Sequence, residues 1–233
     1  MTDAFHKFPH TPHLLWLGRG IPRDDKILST HEARAFLDGA VILEEKVDGA
    51  NLGFSVGPDG RIRPQSRGNY LAPGRSHAQW NPLWSWLAER KEALAAALGR
   101  DLMLFGEWCY ARHTIPYTAL PAWFLAFDVY ERASGRFWSV ERRNVLAQSL
   151  GIQSIPEVFR GRLSLGQVPG LIGPSPLGAP RMEGVYLRCE CDGLLQQRAK
   201  VVGAEFKQQI EEHWSRRALI PNRLRCLVVE VPH

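Results

Sequence analysis

Sulfur-containing residues are scarce in this chain of 233 residues, which has four cysteines and three methionines. The cysteines stand at positions 109, 189, 191 and 226 without a Cys-x-x-Cys pair, which argues against a zinc site or a disulfide framework. Every long apolar stretch is interrupted by proline or charge, so no membrane span is expected. The first residues, MTDAFHKFPHTPH, lack the basic start and apolar run of an export signal, and we therefore expect a cytoplasmic protein.

The chain carries an excess of positive charge. Its 29 lysines and arginines outnumber 24 acidic residues, which gives a formal net charge of +5 and a pI near 9.2. Clustered basic residues neutralise phosphates, so this balance favours an anionic partner, although many basic proteins never bind nucleic acid. The length suits one domain as well as two, and we predict a single domain over 1–233 with a short helical extension at about 204–233.

Apolar runs separated by turn residues predict most of the strands. Between 40 and 56, two β-prone runs are interrupted by Asp48-Gly49-Ala50-Asn51, a turn composition that leaves Lys46 at a strand end. Turn formers at 57–60 predict a hairpin, and the runs DLMLFGEWCY and AWFLAFDVYE are typical of buried strands. The runs EGVYLRCE and LLQQRAKVV flank Cys191-Asp192-Gly193 and predict a further hairpin.

Three segments have the apolar spacing of helices. They span 82–98, 140–151 and 205–217, and glycine follows or closes the first two. The stretch 161–180 is rich in glycine and proline, which predicts a surface connection with room for a short helix. This order of elements favours an α+β fold with antiparallel sheets over alternating βαβ units.

The tetrapeptide Lys46-Val47-Asp48-Gly49 lies at the first predicted strand end. Alone, it is equally consistent with a surface lysine beside an Asp-Gly turn. Four further segments follow it on predicted strands, namely Glu107 in FGEW, Phe127 in FLAFDVYE, Glu183 in EGVYLR and Lys200 in RAKVV. Over residues 40–203 the chain therefore resembles the superfamily of ATP-dependent DNA and RNA ligases and mRNA-capping enzymes. Within it, the chain is most similar to the RNA ligase 2 type.

The resemblance implies a nucleotidyltransferase fold, with antiparallel sheets flanked by helices, in which Lys46 takes up AMP from ATP. Attack on ATP requires the neutral amine, whereas an ordinary lysine has a pKa of about 10.4. We therefore expect a lowered pKa, with Lys200 and a bound Mg²⁺ (or Mn²⁺) disfavouring the ammonium form and stabilising the α-phosphate. Asp48 is expected to orient Lys46 or the metal, and an ordinary turn residue is the equal alternative.

The resemblance also assigns the rest of the nucleotide site. Glu107 should bind the ribose hydroxyls and Phe127 should stack on adenine, with a strand-end carboxylate and a core aromatic as the structural alternatives. Glu183 is the expected metal ligand, because Mg²⁺ prefers oxygen donors. Arg198 would help Lys200 to hold phosphates, although the usual pattern of the family at this position is Lys-x-Lys.

Three more residues complete the predicted site. Glu45 is expected to line the adenine pocket. Asn51 lies five positions after the nucleophile, and Arg67 lies in the predicted strand SRGNY. By the same resemblance, Asn51 and Arg67 should grip the 5′-phosphate end of a nucleic acid.

The implied activity joins RNA 3′-hydroxyl and 5′-phosphate ends through lysyl-AMP and an adenylylated 5′ end. The implied partner is RNA with such ends, or a DNA or hybrid substrate. The stretch after residue 203 is too short for the β-barrel that DNA ligases and capping enzymes append, so a partner protein is one means of positioning the ends. A DNA ligase, a capping-type guanylyltransferase and a non-catalytic RNA-end-binding protein are the alternatives.

Overall fold

The structure is a computed structural model that describes residues 5–18, 26–204, 206 and 218–226. Two β-sheets face each other, and the helices pack around them. The helices are α1 (Thr30–Phe36), α2 (Asn81–Ala88), α3 (Lys91–Leu98) and α4 (Val140–Ser149), with 3₁₀ turns at Ala78–Trp80 and Leu165–Leu171. The strands are β1 (Val41–Lys46), β2 (Ala50–Val56), β3 (Ile62–Gln65), β4 (Leu102–Trp108), β5 (Phe124–Glu131), β6 (Arg136–Phe137), β7 (Gln153–Ser154), β8 (Glu157–Gly161), β9 (Gly184–Cys191) and β10 (Leu194–Val202).

The Lys-x-Asp-Gly tetrapeptide joins the two sheets. One sheet has four strands in the order β10-β9-β1-β8, and the other has six, with the path β3-β2-β4-β5-β6 and β7 paired to β5. The strands of both sheets pair antiparallel, except for the short parallel pairing of β5 with β7. The predicted α+β fold with antiparallel sheets is confirmed. Because β1 ends at Lys46 in one sheet and β2 begins at Ala50 in the other, the chain crosses between sheets at the predicted nucleophile.

Local sequence signals fix several element ends. Ser29 and Glu32 form a capping box at the start of α1, in which the Glu32 amide donates to Ser29 Oγ and the Ser29 amide donates to Glu32 Oε2. Ser139 caps α4 with a single side-chain hydrogen bond, which its Oγ accepts from the Arg142 amide. The predicted hairpin after β9 is confirmed.

The single helix predicted for 82–98 is wrong, because α2 and α3 are separate helices. Arg90 ends α2 by donating Nη1 to the Trp86 carbonyl at 3.1 Å, and its guanidinium lies 4.9 Å from the Trp86 ring centre. The same residue begins α3, since its carbonyl accepts from the Leu94 amide. Helical spacing of the apolar residues continues across the break, which is why the sequence pattern did not show it.

Three other expectations need correction. Arg67 lies in an exposed loop after β3 rather than in a strand, and Glu183 lies one residue before β9. Most of the helix expected at 205–217 lies outside the described residues. Residues 218–226 are extended and not helical, because their backbone pairs with the loop 109–120.

Each sheet buries apolar residues on the side away from the other sheet. The six-stranded sheet packs Leu52, Phe54 and Leu104 against Leu83 of α2 and Leu94 of α3. A second cluster lies between the four-stranded sheet and α1. The inner faces carry the polar side chains of the cavity together with a smaller apolar cluster that includes Phe8, Met103 and Phe105. The helices in the described part of the chain are too short or too polar to span a lipid bilayer.

Candidate active site

Lys46 is placed by the pairing of β1 with β9. Its partner across the ladder is Gly184, which brings the preceding residue, Glu183, next to the lysine side chain. The Lys46 Nζ lies 2.5 Å from Glu183 Oε1, and the two side chains are 18% and 8% exposed. The ring centre of Tyr186 lies 5.9 Å from Nζ. The amine is thus held as an ion pair but remains accessible.

Two glycines of the motifs allow this close packing. A Cβ atom on Gly49 would lie 2.7 Å from the Trp108 carbonyl oxygen and 2.9 Å from Glu107 Cγ. A Cβ atom on Gly184 would lie 2.1 Å from the Val201 carbonyl oxygen. Larger residues at either position would separate the strands that carry Lys46, Glu107 and Glu183.

An open cavity of about 590 Å³ lies between the inner faces of the sheets. Six of the predicted site residues line it, and they come from both sheets and from the loop after β3. These six are Lys46, Asn51, Arg67, Glu107, Phe127 and Lys200. Asn51 pairs directly with Glu107 across the β2–β4 ladder. Asn51 Oδ1 is a buried acceptor with no hydrogen-bond partner in the described part of the chain, so a ligand donor would complete it.

Phe127 reaches the cavity through a β-bulge. Phe105 pairs with Asp128 and Gly106 pairs with Ala126, so Phe127 is the extra residue of β5. A bulge re-aims the side chain of the extra residue. Phe127 is partly buried and contacts Phe8 edge-on at 5.1 Å between ring centres. The aromatic ring therefore belongs both to the cavity wall and to the packing of the N-terminal segment.

The remaining predicted residues do not line the cavity. Asp48 accepts hydrogen bonds from the Thr114 and Ile115 amides at 2.7 and 2.8 Å. Glu45 is fully buried and accepts from Ser175 Oγ at 2.7 Å, because it alternates with Lys46 along β1 and points to the opposite face. These bonds give both carboxylates structural partners inside the protein.

Arg198 is directed to a buried ion network behind Phe127. Its guanidinium lies 2.8 Å from Asp128, which also binds Arg188 at 2.7 Å. The guanidinium also stacks on Phe8 and Phe137, with 4.9 and 4.0 Å to the ring centres. Arg198 shares a strand face with Lys200, as predicted, but the Asp128 carboxylate on the other sheet holds it away from the cavity.

Sequence reasoning missed several parts of the cavity wall. Tyr186 lies opposite Lys200 in the β9–β10 ladder, and strand alternation from Gly184 was the signal that could have found it. Gln79 and His113 line the cavity and contact each other, with 3.1 Å between Oε1 and Nε2. No pattern in the sequence connects these last two residues, which come from a 3₁₀ turn and a loop.

The N-terminal segment is another wall that the sequence did not reveal. Phe8, Pro9 and Thr11 line the cavity. The Lys200 amide donates to the Pro12 carbonyl and the Lys200 carbonyl accepts from the Leu14 amide, both at 2.9 Å. The segment thus covers the outer edge of β10 and fixes the backbone of Lys200.

The electrostatics of the site differ from the expected lowering of the Lys46 pKa. Burial lowers the pKa of Lys46, but the carboxylates of Glu183 and Glu107 and the Tyr186 phenol raise it by more, so it lies above its ordinary value. Burial raises the pKa of Glu107 to about 8 and that of Glu183 to about 7, although Lys46 opposes both changes. In the absence of ligands, Lys46 is therefore a protonated partner of Glu183.

A neighbouring carboxyl gives a test of these burial effects on stability. Burial raises the pKa of Glu45 from its ordinary value of 4.5 to about 7. The carboxyl therefore ionises at a lower pH in the unfolded chain than in the folded protein, and the folded state loses stability as the pH rises from 4.5 through about 7. Glu45→Gln retains an acceptor for Ser175 but does not titrate. We expect the unfolding free energy of Glu45→Gln, relative to wild type, to increase by about 3 kcal/mol between pH 4.5 and pH 8.

Urea unfolding at a series of pH values measures this difference. Glu92→Gln, at an exposed position on α3, is the matched control and should lack the increase that burial of the carboxyl causes at Glu45. A flat difference for Glu45→Gln as well would show that Glu45 ionises without cost in the folded protein.

Comparison with known proteins places this architecture in a family. The sequence profile of the RNA ligase family matches residues 39–202, and no curated protein matches the sequence. The fold is similar to solved structures of variants of an RNA ligase from Naegleria gruberi. An apo structure has a TM-score of 0.64 at 16% identity over 91% of this chain and 59% of that one. A structure with ATP and Mn has a TM-score of 0.63 at 17% identity, and the match covers 91% of this chain and 60% of that one.

A third structure of the Naegleria enzyme, with AMP and Mn, has a TM-score of 0.61 at 19% identity and covers 88% of this chain and 65% of that one. The chain thus spans less than two thirds of the length of these ligase chains, and the likeness to them is one of fold. The profile match covers β1 through β10, including the strand ends and loops that form the cavity. The chain therefore belongs to the RNA ligase family.

Proposed function

We propose that the chain is an ATP-dependent RNA ligase that forms lysyl-AMP at Lys46. The observation that carries the proposal is the position of the Lys46 amine. It lies in a cavity of about 590 Å³, paired with Glu183, and the cavity also presents Glu107, Phe127 and Lys200. A purely structural lysine would have no need of an open cavity with these groups. The ATP-bound structures of the Naegleria ligase, which share the fold, support the choice of nucleotide.

The cavity offers complementary groups for each part of ATP. Phe127 and Tyr186 supply aromatic surface for adenine. Glu107 supplies carboxyl oxygens that can accept hydrogen bonds from ribose hydroxyls, and Lys200 supplies positive charge for the phosphates. Arg67 is exposed in the loop at the cavity and is suited to a 5′-phosphate. These assignments leave Lys46 to face the α-phosphate.

The donor set also suits a divalent metal that arrives with ATP. In the described ranges, no group of three or more His, Cys, Asp or Glu side chains could hold a metal by itself. Mg²⁺ is commonly held by one or two carboxylates together with substrate phosphates and water. Glu183 would be the protein ligand. When bound there, the metal would offset negative charge on Glu183 and on the α-phosphate.

Lys46 must lose its proton, which can pass to solvent in the open cavity, before it can attack. Glu183 is the group that most strongly stabilises the ammonium form, so any interaction that neutralises the Glu183 carboxylate lowers the pKa of Lys46. The neutral Nζ then forms a bond to the α-phosphorus while the bond to the pyrophosphate oxygen breaks. Lys200 is placed to stabilise the charge on the transferred phosphate.

The later steps follow from the chemistry of lysyl-AMP. A 5′-phosphate oxygen attacks the lysyl-AMP phosphorus, which releases Lys46 and leaves an adenylylated RNA end. Attack of a 3′-hydroxyl on that end forms the phosphodiester and frees AMP. We propose RNA with these two kinds of end as the substrate, with Asn51 and Arg67 binding the 5′-phosphate that receives AMP.

Intact-mass measurement tests the first step. After incubation with ATP and Mg²⁺, the wild-type protein should gain the mass of one AMP group, whereas EDTA should prevent the gain because the metal offsets the phosphate charge. The same incubation with GTP should leave the mass unchanged. A GMP adduct instead would identify a capping-type guanylyltransferase. Absence of any adduct in folded protein that holds no AMP beforehand would leave an RNA-end-binding protein.

A further inference from the structure

The loop 109–117, which follows β4, holds the turn after the nucleophile. The Thr114 and Ile115 amides donate to Asp48 Oδ2 at 2.7 and 2.8 Å, and the Asp48 amide donates to the Tyr117 hydroxyl at 2.9 Å. Asp48 and Tyr117 are 8% and 1% exposed. Three hydrogen bonds, two of them buried, therefore fix the residue two positions after Lys46.

Asn222, more than a hundred residues away in sequence, fastens this loop from behind. Its Nδ2 donates to the Cys109 carbonyl at 2.8 Å and to the Ala111 carbonyl at 3.4 Å. Its Oδ1 accepts from the Tyr117 amide at 3.0 Å. The side chain is buried and thus binds both ends of the loop, and its own amide donates to the Tyr110 carbonyl at 2.8 Å. The contacts run from Asn222 through Tyr117 to Asp48.

The nucleophile turn depends on such contacts because it belongs to neither sheet. The β1–β9 ladder ends at Lys46 and the β2–β4 ladder begins at Ala50, so Val47–Gly49 have no strand partner. Lys46 stands on the four-stranded sheet, whereas Glu107 and Phe127 stand on the six-stranded sheet. Since the turn connects the sheets, its position sets the distance between the amine and the groups that face it. A displacement of about 1 Å is enough to slow a positioned reaction by about 100-fold.

We propose that Asn222 is a positioning residue for Lys46, acting through Tyr117 and Asp48. The inference rests on the proposed ligase function and adds a residue of the C-terminal segment to its machinery. The Asn222 side chain makes its hydrogen bonds with Cys109, Ala111 and Tyr117, which do not line the cavity. Its effect therefore falls on the rate constant of adenylylation and leaves the KM for ATP little changed. The groups proposed to bind ATP, including Phe127, Tyr186 and Glu107, are held by the strands.

Three variants test the route from Asn222 to Lys46. Tyr117→Phe removes only the phenol oxygen that accepts from the Asp48 amide, and Asn222→Ala removes the anchor of the loop. Each is expected to lower the rate constant of AMP transfer about 10- to 100-fold at saturating ATP. Because the two residues act in series, the double variant should be no slower than Asn222→Ala. The proposal would be overturned if the loss of rate in the double variant equalled the product of the two single losses. It would also be overturned if the variants changed only the KM for ATP.

Arg223→Ala is the matched control. Arg223 is the exposed neighbour of Asn222, and its contacts with the loop are made by its backbone, which alanine retains. Its rate constant should equal that of wild type. If neither wild type nor any of these variants forms an adduct, the proposed function fails. A second measurement still tests whether Asn222 positions the turn after Lys46.

That second measurement is amide hydrogen exchange of residues 46–49, which needs no ATP and no activity. Exchange should be faster in Asn222→Ala and in Tyr117→Phe than in wild type, while Arg223→Ala should match wild type. Unchanged protection of this turn in both variants would contradict the positioning role. Tyr117→Phe preserves the buried ring, so it gives the answer even if Asn222→Ala does not fold.

Discussion

Lys46→Arg is expected to form no detectable AMP adduct, a loss of at least about 1,000-fold in the rate of the first step. Arginine keeps the positive charge beside Glu183, and the ion pair is 2.5 Å long in the wild-type protein. The guanidinium does not deprotonate in proteins, however, so it cannot supply the electron pair that attacks phosphorus. Adduct formation with radiolabelled ATP, followed over time, measures the loss.

A matched substitution separates chemistry from fold. Lys91→Arg, at a lysine that is 57% exposed on α3, should form the adduct at the wild-type rate. The affinity of Lys46→Arg for ATP, measured by calorimetry, should remain measurable because the proposed adenine and ribose contacts are intact. An adduct on Lys46→Arg at a rate near that of wild type would place the nucleophile elsewhere in the chain.

Arg143→Ala is expected to lower the free energy of unfolding by about 3–5 kcal/mol. Arg143 Nη2 lies 2.6 Å from Glu44 Oε1, and both side chains are 1% exposed. Arg143 Nη1 also donates to the Phe127 carbonyl at 2.8 Å. Removing the guanidinium leaves the buried Glu44 with the Arg188 guanidinium at 3.8 Å as its ion-pair partner, and leaves the Phe127 carbonyl with the longer 3.5 Å hydrogen bond from Arg188 Nη1. Urea unfolding measures the change.

The preceding residue provides the control. Arg142 is 41% exposed, lies 3.8 Å from Glu131 and stacks on Trp138 at 4.1 Å, so Arg142→Ala should cost less than about 1 kcal/mol. Equal losses for the two variants would show that the buried ion pair contributes no more than a surface contact. Because Arg143 binds the backbone of Phe127, we also expect Arg143→Ala to weaken ATP binding.

Much of the site could be predicted because its residues sit at fixed places on strands. Lys46 at a strand end, Glu107 on β4 and Lys200 on β10 were each expected on strands, and the structure brings all three to one cavity. Asn51 joins them because β2 pairs with β4. Strand periodicity and motif order contain this information, since a two-residue repeat decides which side chains share a face.

Other residues could not be placed from periodicity alone. Phe127 owes its direction to a bulge, which depends on the register between β4 and β5. Arg198 was predicted on the correct strand face, but Asp128 on the other sheet is its partner. Gln79 and His113 meet at the cavity from segments with no repeating pattern. In each case the deciding contact is with a residue distant in sequence.

Most of the longer strands, the turn that presents Lys46, the α+β class and the resemblance to RNA ligases followed from the amino-acid sequence. These depend on local composition, alternation and motif order, all of which are properties of neighbouring residues. The packed fold was needed to show that the turn crosses between two sheets, that Lys46 is paired with Glu183 and has a raised pKa, and that Asn222 fastens the loop behind it. Pairing, burial and charge arise from contacts between distant segments, and these are fixed only when the sheets pack together.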